Sequence, residues 1–141
     1  LYDTCLVARS QPFPGVVGML DGLARRGLRW GVVTNKPARF TEPLLAHLGL
    51  AAAAACIVSG DTCARNKPHP DPLLHACSQA AVAPADCLYV GDAERDIQAA
   101  RAAGMAALVA AWGYLDATDQ PHTWGAHAEI RHPADTLDFL G

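Results

Sequence analysis

Cys87-Leu88-Tyr89-Val90-Gly91-Asp92-Ala93-Glu94-Arg95-Asp96-Ile97 changes its apolar rhythm partway along. Its first four residues are apolar without interruption, as in a strand buried on both faces. From Ala93 the pattern turns helical as far as Ala103, and Gly104 is the stop. Asp92 stands at the changeover, with Asp96 one helical turn further on the same face.

The same strand-then-helix unit recurs on both sides. Upstream, Val16, Leu20 and Leu23 predict a helix over Val16–Arg26, stopped by Gly27. Arg29–Thr34 then reads as a buried strand, and Pro37 opens a helix to Leu48 that Gly49 ends. Cys56–Ser59 is a short strand leading into a polar loop through Asn66, and Pro70 or Pro72 begins a helix to Ala81. Downstream, Ala106–Val109 is a further strand. An irregular stretch with Gly113, Pro121 and Gly125 follows, then a short strand near Glu129 and a terminal helix from Pro133. Strands alternating with helices predict an α/β fold, a doubly wound parallel sheet covered on both faces. In such a sheet ligands bind beyond the carboxyl ends of the strands.

Several polar groups converge on that edge. The second strand ends in Thr34-Asn35, the loop after the third reaches Asn66-Lys67, and the fourth ends in Gly91-Asp92 with Asp96 behind it. Thr34 can donate to a phosphate oxygen, and the amides of the following helix end favour an anion there. Lys67 supplies positive charge, and Asp92 and Asp96 offer the hard oxygen ligands that Mg²⁺ prefers. Hydroxyl, ammonium and metal together make an electrostatic clamp for phosphoryl transfer. Taken singly, each residue has a plainer reading: a β-branched strand end, a helix cap, a solvated carboxylate, a surface charge. The lysine usage sharpens the pattern, for the chain has nine arginines and two lysines, Lys36 and Lys67, and both follow an asparagine in these loops.

Composition is that of an ordinary globular domain: 141 residues, 51% hydrophobic and 18% charged. With 11 basic and 14 acidic residues the formal charge is −3, which argues against nucleic acid or an anionic membrane as partner. The longest apolar stretch, Leu48–Cys56, is too short to span a bilayer. Five cysteines without a C-x-x-C pair are expected to be reduced and structural, and a cytoplasmic setting is expected. His122, His127 and His132 recur every five residues, which places them on no common helical face.

Three stretches carry a family resemblance. Val32-Val33-Thr34-Asn35-Lys36-Pro37, Asn66-Lys67-Pro68-His69-Pro70-Asp71-Pro72-Leu73 and Tyr89-Val90-Gly91-Asp92-Ala93-Glu94-Arg95-Asp96-Ile97 resemble three motifs of the haloacid-dehalogenase superfamily, in order. The branch is similar to the bacterial phosphoglycolate phosphatases. Trp30-Gly31 through Pro43, Gly113-Tyr114 and Trp124-Gly125-Ala126 are similar to the sister N-acetylmuramic acid 6-phosphate phosphatases. The resemblance implies a Mg²⁺-dependent phosphomonoester hydrolase that acts on a small phosphorylated metabolite through an aspartyl-phosphate. It makes Thr34 the phosphate binder with Asn35 beside it, Lys67 the lysine that organises phosphate and nucleophile, and Asp92 and Asp96 the metal acids. Ala93 stands where many relatives carry serine.

One motif has no counterpart. The family's first strand ends D-x-D-G-T and carries the nucleophile; neither Asp3 nor Asp61 stands in such a setting. Pro12-Phe13-Pro14-Gly15-Val16 resembles the return from a helical cap to the core, so residues 1–11 are expected to be the end of a cap and its linker, with the core over 12–141. An upstream segment is expected, and the alternative of another class is a non-catalytic phosphate- or partner-binding remnant. A sheet lacking its first strand leaves a vacancy between the strands ending at Thr34 and Asp92. Three outcomes are open: those strands pair directly, another segment or copy fills the slot by oligomerisation or strand exchange, or the slot stays empty.

Overall fold

The strand-helix alternation folds as expected, in a computed structural model that describes residues 2, 4–8, 15–47, 49–111 and 119–140. Asp3, Pro12–Pro14 and Gly113-Tyr114 lie outside the described residues. Six strands form the sheet: β1 (Thr4–Ala8), β2 (Arg29–Val33), β3 (Cys56–Val58), β4 (Cys87–Gly91), β5 (Ala106–Ala110) and β6 (Ala128–Ile130). The spatial order is β3-β2-β1-β4-β5-β6, and every pairing is parallel. Helices α1 (Val16–Arg25), α2 (Ala38–His47), α3 (Asp71–Ala80) and α4 (Glu94–Ala103) cover it.

The period-two geometry of strands divides the core into two layers. Leu6, Val33, Tyr89, Ala107 and Val109 face one side, where they pack with Leu73, Ala76, Cys77 and Ala80 of α3 and Ile97, Ala99 and Ala100 of α4. Cys5, Val7, Trp30, Val32, Leu88, Val90 and Leu108 face the other, with Val16, Met19, Leu20 and Leu23 of α1 and Leu45 of α2. Helices on both faces are what allow every strand of β1, β4 and β5 to be apolar almost throughout. Among the described residues no helix is long and apolar enough to cross a membrane.

The expected vacancy is filled. β1 lies between β2 and β4, with Thr4–Ala8 paired to Arg29–Val33 and Thr4–Val7 paired to Cys87–Val90. Residues expected as cap end and linker therefore contribute the central strand. The physical reason is local as well as global. Thr-Cys-Leu-Val-Ala presents Leu6 to one layer and Cys5 and Val7 to the other, so it buries side chains on both faces. It also gives β2 and β4 the backbone partners whose loss costs about 1–3 kcal/mol for each dry group. The terminal helix expected from Pro133 forms over Pro133–Phe139, as a 3₁₀ helix. It packs against α1, and Tyr2 bridges to Leu140 beside it.

Candidate active site

The carboxyl ends of β1, β2 and β4 open on a cavity of about 270 Å³ lined by Ala8, Thr34, Asn35, Lys36, Pro37, Lys67, Asp92, Arg95 and Asp96. All five residues singled out from the sequence, Thr34, Asn35, Lys67, Asp92 and Asp96, come to it. Two glycines permit the convergence. A side chain at Gly91 would collide with Asp96, so its absence lets the first turn of α4 tuck under the end of β4. A side chain at Gly60 would run into the Asn35 carbonyl, and Gly60 N–H instead donates to Lys36 O at 2.6 Å.

Lys67 is the hub. It is 7% exposed, and its ammonium donates to Asp96 Oδ1 at 2.6 Å, Tyr89 Oη at 2.9 Å and Val33 O at 3.1 Å. Burial pushes the ammonium below its ordinary pKa, and the Asp96 carboxylate opposes that shift. Asp96, 2% exposed, uses its other oxygen to accept from the backbone N–H groups of Asp92 (3.2 Å) and Ala93 (3.1 Å). It is therefore both ion partner and cap for α4. Asn35 holds the backbone of Lys67 from the other side: Nδ2 donates to Lys67 O (3.3 Å), and Lys67 N–H donates to Oδ1 (3.2 Å). Thr34 accepts from Lys36 N–H at 3.1 Å, which leaves its own O–H available to another acceptor.

Two amides of the stretch after Thr34 are engaged internally: Lys36 N–H by Thr34 Oγ1, and Ala38 N–H, at the start of α2, by Asp61 Oδ1 at 3.0 Å. Asp61 is thus a helix cap. The side chains at this cavity bring three cationic groups (Lys36, Lys67, Arg95) against two carboxylates (Asp92, Asp96). Among the described residues no group of three or more His, Cys, Asp or Glu side chains is placed to hold a metal. Both Asp96 oxygens are engaged within the protein, and Asp92 brings the second carboxylate to the cavity. One carboxylate is a minimal fit to Mg²⁺, which keeps several waters and takes one or two carboxylates together with substrate phosphate.

Two site residues escaped the sequence reading. Tyr89 is fully buried within β4, and an apolar strand pattern gives no sign that its hydroxyl meets Lys67. Ala8, at the end of β1, brings no polar side chain to the centre of the cavity.

Residues 3–110 match the sequence model of the haloacid dehalogenase-like hydrolase family. The chain is 48% identical over 132 residues to a phosphoglycolate phosphatase of Xylella fastidiosa strain 9a5c, covering 94% of this chain and 58% of that protein. It is 42% identical over 139 residues to an N-acetylmuramic acid 6-phosphate phosphatase of Pseudomonas aeruginosa, covering 99% of this chain and 62% of that protein. Among solved structures, a predicted phosphoglycolate phosphatase from Haemophilus somnus 129pt superposes with a TM-score of 0.83 at 29% identity, over 92% of this chain and 57% of the other. The chain thus spans about three fifths of the length of the relatives it matches.

Proposed function

From membership in the haloacid dehalogenase-like hydrolase family, to which this chain belongs, we propose that its cavity binds the phosphoryl group of a small phosphomonoester. The corresponding whole enzyme is then a Mg²⁺-dependent phosphatase of the phosphoglycolate type, working through an aspartyl-phosphate. The observation that carries the reading is the cavity itself, with a buried lysine and a strand-end threonine hydroxyl beside a net excess of cationic side chains. Its volume of about 270 Å³ falls just under the ~300–1,000 Å³ of drug-sized ligand sites.

Each residue has a task in this proposal. Thr34 donates its O–H to a phosphate oxygen, Lys67 contributes charge, and Asn35 fixes the backbone of Lys67. Asp92 would hold Mg²⁺ with phosphate oxygens and water, and Asp96 acts indirectly, by orienting Lys67 and the loop that carries Asp92. Bound Mg²⁺ would neutralise charge that develops on the phosphoryl oxygens. The covalent step needs a carboxylate nucleophile, and at the end of β1 stands Ala8.

Titration of the isotope-labelled chain with inorganic phosphate, followed by amide NMR, tests the binding. Shifts centred on Thr34–Lys36, Lys67 and Asp92–Asp96, weakened in Thr34→Val, are expected; shifts elsewhere, or none, refute it. For the whole enzyme, hydrolysis of 2-phosphoglycolate in preference to N-acetylmuramic acid 6-phosphate separates the two named activities.

A further inference from the structure

A lysine ammonium has three N–H donors and no acceptor. Here three acceptors already surround it: Asp96 of α4, Val33 O at the end of β2 and Tyr89 Oη of β4. Lys67 also lines the cavity. A phosphate oxygen that bonds to the ammonium therefore competes with these three acceptors for its N–H groups.

The three are not equally replaceable. Asp96 is the charge partner at the shortest distance, 2.6 Å, and its release would leave a buried carboxylate without its cation. Val33 O is a peptide carbonyl, a better acceptor than a phenol oxygen. Tyr89 Oη also keeps a hydrogen bond of its own if Lys67 leaves, because it donates to Val33 O at 3.2 Å. Tyr89 is fully buried and does not line the cavity, so it grips the ammonium from behind.

We propose that Tyr89 is a positioning residue that sets the anion affinity of this site: its hydroxyl holds one N–H of Lys67 behind the cavity, and phosphate binds by taking that N–H in exchange. The inference rests on the phosphoryl-binding reading above. It makes Tyr89 a restraint on Lys67, which keeps the ammonium satisfied when the site is empty and gives way when an anion arrives.

The consequence is a change of opposite sign in two measurements. Tyr89→Phe keeps the ring and its packing but removes one of the three acceptors around the buried Lys67 ammonium. The variant should unfold at lower urea than the parent chain. It should also bind inorganic phosphate more tightly, by about five- to tenfold, because the phosphate oxygen then competes with two acceptors instead of three. A residue that merely supports the fold would lower both stability and affinity. Calorimetric or NMR titration of the full chain with inorganic phosphate, in parent, Tyr89→Phe and Thr34→Val forms, reads the difference. Equal or weaker phosphate binding in Tyr89→Phe, with Thr34→Val weakened as expected, overturns the role of Tyr89 alone. If the parent chain binds no phosphate at this cavity, both the role of Tyr89 and the phosphoryl-binding reading fall.

Discussion

β1 and its two neighbours occupy the same buried position and end differently. β2 runs into Thr34-Asn35 and β4 into Asp92, whereas β1 ends in Ala8, and all three ends meet at one cavity. Interior side chains decide whether a strand can sit at the centre of a parallel sheet; the residues just past its end decide what the sheet can do. The central strand meets the first requirement, and its own last residue, Ala8, brings only a methyl group to the cavity. The flanking strands meet both, at the cost of holding a lysine and a carboxylate in a nearly dry site.

That cost makes the largest expected effect. Lys67→Met leaves Asp96 buried without its cation and should destabilise the chain by about 3–5 kcal/mol. Adding Asp96→Asn, which removes the orphaned charge, should recover part of the loss. Urea midpoints of the single and double variants check this, and a double variant no more stable than the single would deny that the charge is responsible.

The next test asks whether β1 is as fully part of the core as the strands beyond it. Leu6 in β1 and Leu108 in β5 are both fully buried. Leu6→Ala and Leu108→Ala should each cost about 2–5 kcal/mol. A loss below about 0.5 kcal/mol for Leu6→Ala alone, the size typical of surface changes, would remove β1 from the sheet.

A smaller effect separates β1 chemically. Burial pushes the Cys5 thiol up to about 12, against 9.0 for the unperturbed group. Between these values the unfolded chain loses its thiol proton while the folded chain keeps it, so the native state binds more protons and stability falls as pH rises. The slope contributed is about 1.4 kcal/mol per pH unit. Cys56, raised to about 11, and Tyr89, also raised by burial, add slopes of the same sign. Denaturation between pH 8 and 11 should become flatter in Cys5→Ala than in the parent chain; an unchanged slope would place Cys5 in water.

The smallest effect on stability belongs to the strand end most concerned with chemistry. Asp92→Asn, at a half-buried position where an amide replaces a carboxylate of the same shape, should cost less stability than either leucine truncation. It should also abolish any strengthening of phosphate binding by Mg²⁺. A large stability loss instead would make Asp92 a structural residue.

The sequence alone determined the order of strand-helix units from β2 onward, the parallel sheet and the residues at its carboxyl edge. Periodicity reports how each segment is buried, and glycine and proline mark where it stops, so these features are written locally. Tertiary structure decided the rest. Thr4–Ala8 is a short apolar run that reads equally as linker or strand, and only the unpaired edges of β2 and β4 make it the centre of the sheet. Tyr89 reads as one more apolar residue of β4 until folding sets its hydroxyl 2.9 Å from Lys67, 22 positions away in the chain. Two of the amides near the start of α2, those of Lys36 and Ala38, are claimed by Thr34 and Asp61. A donor's partner is whichever acceptor the fold brings within about 3 Å, and spacing along the chain does not encode that.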